Sequence, residues 1–282
     1  MDAYTDFASV YDTFMDNTPY ESWAEYLIEL IQQYGISETI QEEEKQIGAI
    51  NADSEKEALL SEKNLVLELG CGTGTLTELL AARGYDMMGV DNSQEMLNIA
   101  MKKKEKSGST ILYLCQDMQN LELYSTVGTI ISVCDSINYV LTDEEIRQTF
   151  RLVNNYLYPG GLFIFDFNTL YKYETIIGDT TIAENREECS FIWENYFHEE
   201  EQVNEYDLTV FVRQSEQTQL FRRFTETHFQ RGFTLEQMER FVTEAGLLPV
   251  VILDADTHEA PTKTSERIYV VAREQGKNNR ER

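Results

Sequence analysis

Short apolar runs alternate with amphipathic helical segments through the middle of the chain. Each run is mostly hydrophobic, like a buried strand of a parallel sheet, and the segments between the runs carry apolar residues at helical spacing. The predicted strands lie at 64–69, 87–91, 111–115, 129–134 and 162–167. The predicted helices between them lie at 76–82, 93–104 and 142–158. This alternation predicts an α/β fold built on a parallel sheet.

The alternation breaks within residues 169–229. Apolar and polar residues alternate there in parts of 191–197 and well along 206–212, residues 220–229 are rich in strand-forming types, and polar connections separate these runs. Alternation with a period of two residues is typical of strands that have one buried face. The pattern therefore predicts an inserted antiparallel meander of three or four strands.

The chain returns to its first pattern after this insertion. Thr234 and Gln237 form a capping-box pair ahead of a helix that ends at Gly246, and two strands follow at 250–253 and 267–272. The predicted division of the chain is 1–168 with 230–274 as the main domain, 169–229 as an inserted subdomain and 275–282 as a tail.

Two segments precede the first strand. Residues 4–34 show helical spacing in two stretches, which predicts a pair of N-terminal helices within 1–35. These helices either pack on the main domain or cover a bound ligand, and the two interpretations are compatible. Residues 36–63 are rich in Glu and Asp and contain only three Lys, which predicts a solvated acidic insertion without chemistry of its own.

A glycine-rich turn joins the first strand to the first helix of the main domain. Gly70, Gly72 and Gly74 follow the acidic residue Glu68, with one residue between successive glycines. A strand, a glycine turn and a helix N-terminus bring bare backbone against a ligand. The spacing differs from the dinucleotide fingerprint G-x-G-x-x-G, and no Lys-bearing phosphate loop occurs. Asp91 ends the second strand, where a carboxylate can accept from both hydroxyls of a ribose.

Three motifs occur in order along the first three predicted strands: ELGCGTG at 68–74, GVDNSQEML at 89–97 and QDM at 116–118. Together they resemble the class I S-adenosylmethionine-dependent methyltransferases, over residues 64–168 and again at the C-terminal strands. The resemblance implies a Rossmann-like seven-stranded sheet of order 3-2-1-4-5-7-6 with an antiparallel last strand. It also implies S-adenosylmethionine as the cofactor and an added antiparallel sheet beside the active site.

The resemblance assigns roles to particular side chains. The Asp117 carboxylate would accept from the adenine amino group, and Met118 would contact the base through its backbone. Tyr11 and Asp12 lie in a segment that commonly covers the cofactor in this family. The cofactor-binding residues that the resemblance implies are Tyr11, Trp23, Glu68, Gly70, Cys71, Gly72, Asp91, Asn92, Met96, Asp117, Met118 and Cys134.

The acceptor is expected at the end of the fourth strand, since strand ends line the crevice of an open α/β sheet. Asn138 and Tyr139 follow that strand and are the candidate catalytic residues, with Asp135 as a third polar side chain. A base is needed only where the acceptor must lose a proton early, because a sulfonium is already an activated methyl donor. The inserted sheet either walls the acceptor pocket with residues such as Trp193 and Tyr206 or forms a homodimer contact, and we favour the wall.

Composition limits the class of partner. The formal net charge of -27 opposes binding to nucleic acid or to an anionic membrane and suits a small neutral or cationic acceptor. No apolar run approaches the roughly 18 residues of a membrane span, and the N-terminus lacks the layout of a signal peptide. The four cysteines include no close pair, which predicts reduced thiols in a cytoplasmic protein and no metal site.

Two other functions stay open at this point. A nicotinamide-dependent oxidoreductase shares the strand-turn-helix unit, although the glycine spacing and Asp117 disfavour it. A protein that binds S-adenosylmethionine without transferring its methyl group would show the same motifs. The three histidines, His198, His228 and His258, are scattered along the chain and are predicted to be structural or exposed rather than catalytic.

Overall fold

The structure is a computed structural model that describes residue 4 and residues 6–41, 54–215 and 218–277. The strands in these residues are β1 (Val66–Leu69), β2 (Met87–Asp91), β3 (Leu112–Cys115), β4 (Val127–Ser132), β5 (Leu157–Asn168), β6 (Thr181–Asn185), β7 (Cys189–His198), β8 (Val203–Arg213), β9 (Phe221–Arg231), β10 (Leu247–Asp254) and β11 (Arg267–Glu274). The α-helices are α1 (Ala8–Phe14), α2 (Tyr20–Tyr34), α3 (Ser54–Asn64), α4 (Thr75–Ala82), α5 (Gln94–Ser107), α6 (Asp143–Tyr156) and α7 (Leu235–Glu244).

Seven strands form the main sheet, in the order β3-β2-β1-β4-β5-β11-β10. β1 is parallel to both β2 and β4, and β5 is parallel to β4. β11 is antiparallel to β5 on one side and to β10 on the other. When only the seven strands of the main sheet are numbered, β10 is the sixth and β11 the seventh. The observed order is then the predicted 3-2-1-4-5-7-6 with an antiparallel last strand, so the predicted fold class is confirmed.

Helices cover both faces of this sheet because its strands are buried on both sides. In β5, Phe163 and Phe165 belong to the hydrophobic cluster beneath α6 and α7, whereas Leu162 and Ile164 belong to the cluster beneath α2 and α4. Successive side chains of a strand point to opposite faces, so one apolar run serves two cores. The carboxyl ends of the parallel strands face a cleft, and this is the edge where a ligand can approach.

The helix termini follow the capping signals in the sequence. The Ser93 hydroxyl accepts from the Met96 backbone N–H at the start of α5. The capping box predicted at Thr142 is present, and so is the one at Thr234. A side-chain cap of this kind stabilises a helix by about 1 kcal/mol and fixes the residue at which it begins.

The predicted end of α6 was wrong. The sequence suggested a helix to Tyr158 that the Pro-Gly-Gly run would end, but the helix ends at Tyr156 and that run lies inside β5. Leu157 is already extended, with φ -65° and ψ 136°, because it pairs with Val127 of β4. The register shifts between Val127 and Thr129, and this irregularity accommodates the glycines within the strand.

The insertion forms a separate four-stranded antiparallel sheet of order β6-β7-β8-β9, which we name the cap sheet. Its last strand continues to Arg231, two residues past the predicted boundary of the insertion. Its inner face buries Tyr206, Leu208 and Val210 against Val10 of α1. The N-terminal helix is therefore held between the cap sheet and the main domain.

The acidic segment and the tail are described only in part. Residues 42–53 of the predicted insertion 36–63, and residues 278–282 of the predicted tail, lie outside the described residues. Within the part that is described, α3 leads directly into β1. Among the residues that the structure covers, none of the helices has the length and apolar character needed to cross a membrane.

Candidate active site

A cleft opens at the carboxyl edge of the main sheet, beyond the ends of β1 to β4. It encloses about 1090 Å³ of empty space, open solvent included, which is enough for a nucleoside-sized cofactor. One wall is formed by the turn after β1 and by the ends of β2, β3 and β4. The other wall comes from the N-terminal part of the chain, through Tyr4, Tyr11, Tyr20 and Trp23.

The turn after β1 requires its glycines. Gly70, Gly72 and Gly74 all have positive φ, at 74°, 53° and 72°, in the left-handed region that strains other residues. A Cβ on Gly70 would lie 2.5 Å from the Ser136 hydroxyl oxygen, so the turn and the loop after β4 could not approach each other as they do. A Cβ on Gly72 would meet no atom within 4 Å, because it would project into open space. The backbone at Gly72 is thus bare toward the cleft.

The acidic residues after β2 and β3 are oriented by backbone donors. The Asp91 carboxylate accepts from the N–H of Gly72 and from the N–H of Ser93, each at 2.8 Å. Burial raises the pKa of Asp91, and these backbone N–H groups act in the opposite direction. The Asp117 carboxylate accepts from the Gln119 N–H at 2.9 Å and begins the short 3₁₀ turn Met118–Asn120.

Glu68 lies beneath the glycine turn and is almost fully buried, with 4% of its surface exposed. Burial raises its pKa to about 8, and the nearby Asp91 adds to the shift. The Thr77 hydroxyl donates to the Glu68 carboxylate at 2.5 Å and lowers the pKa in part. Burial therefore makes Glu68 hold its proton to a higher pH than an exposed glutamate does.

This raised pKa makes stability depend on pH. Between the ordinary pKa of 4.5 and the folded value of about 8, the unfolded chain has released the Glu68 proton and the folded protein has kept it. We therefore expect Glu68 to lower the free energy of unfolding by up to about 1.4 kcal/mol per pH unit as the pH rises through this window. Glu68→Gln should remove this contribution, whereas the exposed control Glu239→Gln should not. Urea unfolding across the window measures both, and a difference between wild type and Glu68→Gln that stays constant with pH would contradict the assignment.

The N-terminal segment is attached to both sides of the cleft. The Asp12 carboxylate accepts from the Thr73 hydroxyl at 2.6 Å and pairs with Lys103 of α5 at 2.7 Å. On the cap sheet, the Glu226 carboxylate accepts from the backbone N–H of Tyr4 and of Phe7, each at 2.9 Å. These contacts hold the segment across the opening of the cleft.

Tyr139 lies at the centre of a hydrogen-bonded group of side chains. Its hydroxyl lies 2.7 Å from the hydroxyl of Tyr4, 2.7 Å from that of Tyr206 and 3.2 Å from Nδ1 of His228. His228 is 1% exposed, and its Nε2 lies 3.3 Å from a carboxylate oxygen of Glu226. The group joins the N-terminal segment, the loop after β4 and two strands of the cap sheet.

Sequence reasoning assigned His228 to a structural or exposed role and did not place Tyr4 in the site. A signal for His228 was present, because Glu226, His228 and Gln230 alternate along β9 with all three buried. Three polar residues on the buried face of a strand indicate a polar cluster rather than a core. The partner across the strand pair, Tyr206, lies directly opposite His228.

Asn138, one of the two predicted catalytic residues, does not line the cleft. Its side chain is fully buried, its amide donates to the carbonyls of Asn168 and Arg231, and its oxygen accepts from the Asn168 N–H. These bonds join the loop after β4 to the two points where the chain leaves and re-enters the main domain. Asn138 is a positioning residue because all its bonds go to backbone groups.

Asn138→Ala is expected to lower the free energy of unfolding by about 2 kcal/mol, since three buried backbone groups lose their partner. The exposed Asn98→Ala on α5 is the control for loss of an asparagine side chain. Chemical denaturation measures both variants. Unchanged stability together with lost turnover would return Asn138 to a catalytic role.

The other predicted site residues are brought together. All twelve predicted cofactor-binding residues line the cleft, and so does Tyr139; the twelve are Tyr11, Trp23, Glu68, Gly70, Cys71, Gly72, Asp91, Asn92, Met96, Asp117, Met118 and Cys134.

Known proteins share this arrangement over nearly the whole chain. A family model described as a methyltransferase domain matches residues 66–161. A protein of Geobacillus sp. (strain WCH70), named as a methyltransferase without a stated acceptor, is 35% identical over 96% of this chain and 99% of its own length. The chain belongs to the class I S-adenosylmethionine-dependent methyltransferases. A second relative of this methyltransferase, YqeM of Bacillus subtilis (strain 168), is 31% identical over 95% of this chain and 96% of its own.

A solved structure agrees with this family. An S-adenosylmethionine-dependent methyltransferase from Clostridium acetobutylicum ATCC 824 superposes with a TM-score of 0.77 at 28% identity, over 98% of this chain and 100% of the other. S-adenosylmethionine is accordingly the cofactor of this methyltransferase. The cleft fits it, because a bare glycine backbone faces open space and a carboxylate follows each of β2 and β3.

Proposed function

We propose that this methyltransferase transfers the methyl group to a nitrogen or oxygen atom of a small-molecule acceptor, held between the loop after β4, the N-terminal segment and the cap sheet. One observation carries the proposal. Tyr4 and Tyr139 line the same cleft as the cofactor-binding residues, and their hydroxyls are linked to Tyr206 of the cap sheet. An acceptor that reaches the methyl group from this side meets the N-terminal segment and the loop after β4, and the cap sheet supports both through Tyr206.

The cofactor would lie along the first three strands of the chain. In this arrangement Asp91 accepts from the ribose hydroxyls, Asp117 accepts from the adenine amino group, and Gly70 and Gly72 present bare backbone. The cofactor supplies an activated methyl group on a sulfonium. The protein aligns the acceptor with that group and excludes water, and such positioning can contribute roughly 7–11 kcal/mol to lowering the barrier.

The side chains around the acceptor position favour an apolar or cationic molecule. Tyr11, Tyr20, Trp23 and Tyr139 line the cleft, and an amine over an aromatic face gains about 0.5–2 kcal/mol. The net charge of -27 draws a cation toward the protein and repels polyanions. A small amine or hydroxyl compound fits both features better than nucleic acid does.

The proposal is tested in two stages. Calorimetry with S-adenosylmethionine, S-adenosylhomocysteine and NAD should show binding of the first two and none of the third. A methyl-release assay over a panel of small amines, hydroxyl compounds and amino sugars should then identify an acceptor. Transfer to RNA or protein substrates alone, with none to the panel, would overturn the small-molecule assignment.

A further inference from the structure

Three side chains form a hydrogen-bonded path from the cleft into the cap sheet, and a carboxylate lies beside its inner end. Tyr4, on the wall of the cleft, contacts Tyr139 at 2.7 Å; Tyr139 contacts Nδ1 of His228 at 3.2 Å; and Nε2 of His228 faces Glu226 at 3.3 Å. Tyr206 joins at the side, 2.7 Å from Tyr139. Glu226, whose carboxylate lies beside the inner end of the path, is 5% exposed.

The numbers of donors and acceptors on each side chain determine which group donates to which along this path. A phenol has one donor and two acceptor positions, and a neutral imidazole has one of each. Nε2 of His228 makes no hydrogen bond within the described residues, but the Glu226 carboxylate lies 3.3 Å away and its negative charge favours a proton on Nε2, which leaves Nδ1 to accept from Tyr139. Tyr139 then uses its two acceptor positions for the hydroxyls of Tyr4 and Tyr206. Tyr4, whose hydroxyl donates to Tyr139, keeps free acceptor positions for a group in the cleft.

The surroundings determine which member of the path can hold a proton. Burial is the largest cause that raises the pKa of Tyr4, Tyr139 and Tyr206 above its ordinary value, so the phenols remain neutral at physiological pH. A neutral phenol can accept one proton while it donates another, so it transfers a proton without becoming charged itself. The imidazole of His228 is the base within the path, and its charged form would face the carboxylate of Glu226.

The N-terminal segment holds the Glu226 carboxylate in place. Its two oxygens accept from the backbone N–H of Tyr4 and of Phe7, and these bonds hold the carboxylate beside Nε2 of His228. His228 is enclosed by aromatic rings, stacked on Tyr206 at 4.8 Å and edge-on to Tyr4 at 4.9 Å. The remaining charged group near the path, Asp135, is paired with Arg267 at 3.2 Å.

We propose that Tyr4, Tyr139 and His228 form a proton relay that removes the acceptor's proton from the closed cleft, with Glu226 stabilising the imidazolium that results. The proposal rests on the function proposed above and extends it to the fate of the proton. The relay also links closure to chemistry, because Tyr4 belongs to the N-terminal segment. Its first member is in place only when Glu226 holds that segment on the cap sheet.

The transfer balances in atoms and charge. The acceptor's N–H or O–H bond breaks, its electrons form the new bond to the methyl carbon, and the electrons of the sulfur–carbon bond stay on sulfur. The proton passes to the Tyr4 oxygen as the Tyr4 proton moves to Tyr139 and the Tyr139 proton moves to Nδ1 of His228. The positive charge lost from the sulfonium thus ends on the imidazole beside Glu226.

The first test needs no acceptor. In ¹⁵N NMR spectra of the full chain saturated with S-adenosylhomocysteine, at a pH where the imidazole is neutral, His228 should carry its proton on Nε2 with Nδ1 accepting a hydrogen bond. Tyr139→Phe should shift the Nδ1 resonance. The exposed pair His198 and Glu205, with Nε2 and the carboxylate 2.8 Å apart on the outer face of the same sheet, is the control and should not respond. A proton on Nδ1 of His228 would overturn the relay.

The second test separates the relay from a structural role. With the acceptor that wild type methylates fastest in the panel above, His228→Asn should lower kcat by at least about 100-fold, the usual contribution of a general base. Its affinity for S-adenosylhomocysteine and its melting temperature should stay near those of wild type, and its residual rate should rise with pH as hydroxide replaces the base. Tyr4→Phe should show the same pattern, and His198→Asn should behave as wild type.

The outcomes distinguish the two proposals. Normal kcat in His228→Asn, with wild type active, would overturn the relay and leave the methyltransferase function intact. Failure of wild type to methylate any member of the panel would instead count against the small-molecule acceptor, and the NMR result would then decide the relay by itself.

Discussion

Asp91→Ala is expected to weaken S-adenosylmethionine binding by more than 100-fold. Two charge-assisted hydrogen bonds to the ribose, each contributing about 1.5–3 kcal/mol, would be lost. The carboxylate also orients the turn, since it accepts from the N–H of Gly72 at 2.8 Å. The variant therefore loses both the ligand contacts and the residue that fixes the glycine backbone against the cofactor. Calorimetry with S-adenosylmethionine measures the effect.

The matched control lies on the same strand. Asp86 immediately precedes β2, at the end of the strand that lies away from the cleft. Asp86→Ala therefore removes a carboxylate from the same strand without changing the cleft. We expect it to bind S-adenosylmethionine as wild type does. Equal affinities of the two variants, with both folded by circular dichroism, would show that Asp91 does not contact the cofactor.

The cofactor half of the cleft could be predicted from sequence because its signals are local. Glu68, Gly70 and Gly72 lie within one turn, and Asp91 and Asp117 each follow an apolar run whose strand character is evident from composition. A parallel sheet then brings the ends of such strands to one edge without further information. The order of the strands followed from the family resemblance, since periodicity alone does not determine it.

The acceptor half could not be predicted in this way, because its residues meet through long-range pairing. His228 and Tyr139 are 89 positions apart, and their contact depends on the register that places Tyr206 opposite His228. A shift of one residue in that register would turn His228 to the outer face. Asn138 shows the opposite case, because it is adjacent in sequence to Tyr139, which lines the cleft, but is itself buried away from it. Cys134 and Asp135 adopt positive φ after β4, and the side chain of Asn138 turns into the interior in the short helical turn that follows.

Gly72→Ala is expected to lower the affinity for S-adenosylmethionine by about 100-fold, which corresponds to the upper end of the ~1–3 kcal/mol cost of forcing an extra methyl group into a packed contact. In the protein without ligand, the added Cβ would meet no atom within 4 Å. Gly72 lines the cleft, so we expect the added methyl group to occupy space that the cofactor needs. Calorimetry with S-adenosylmethionine and S-adenosylhomocysteine measures the loss.

Backbone strain is the competing explanation, and Gly108 separates the two. Gly108 follows α5 with φ 74°, close to the 53° of Gly72, and its added Cβ would also meet no atom within 4 Å. Alanine in this conformation costs roughly 1–2 kcal/mol at either position. Gly108→Ala and Gly72→Ala should therefore lose similar amounts of free energy of unfolding, and only Gly72→Ala should lose affinity. If both variants bind S-adenosylmethionine equally well, the cofactor does not approach the turn at Gly72, and the proposed contact with its bare backbone is wrong.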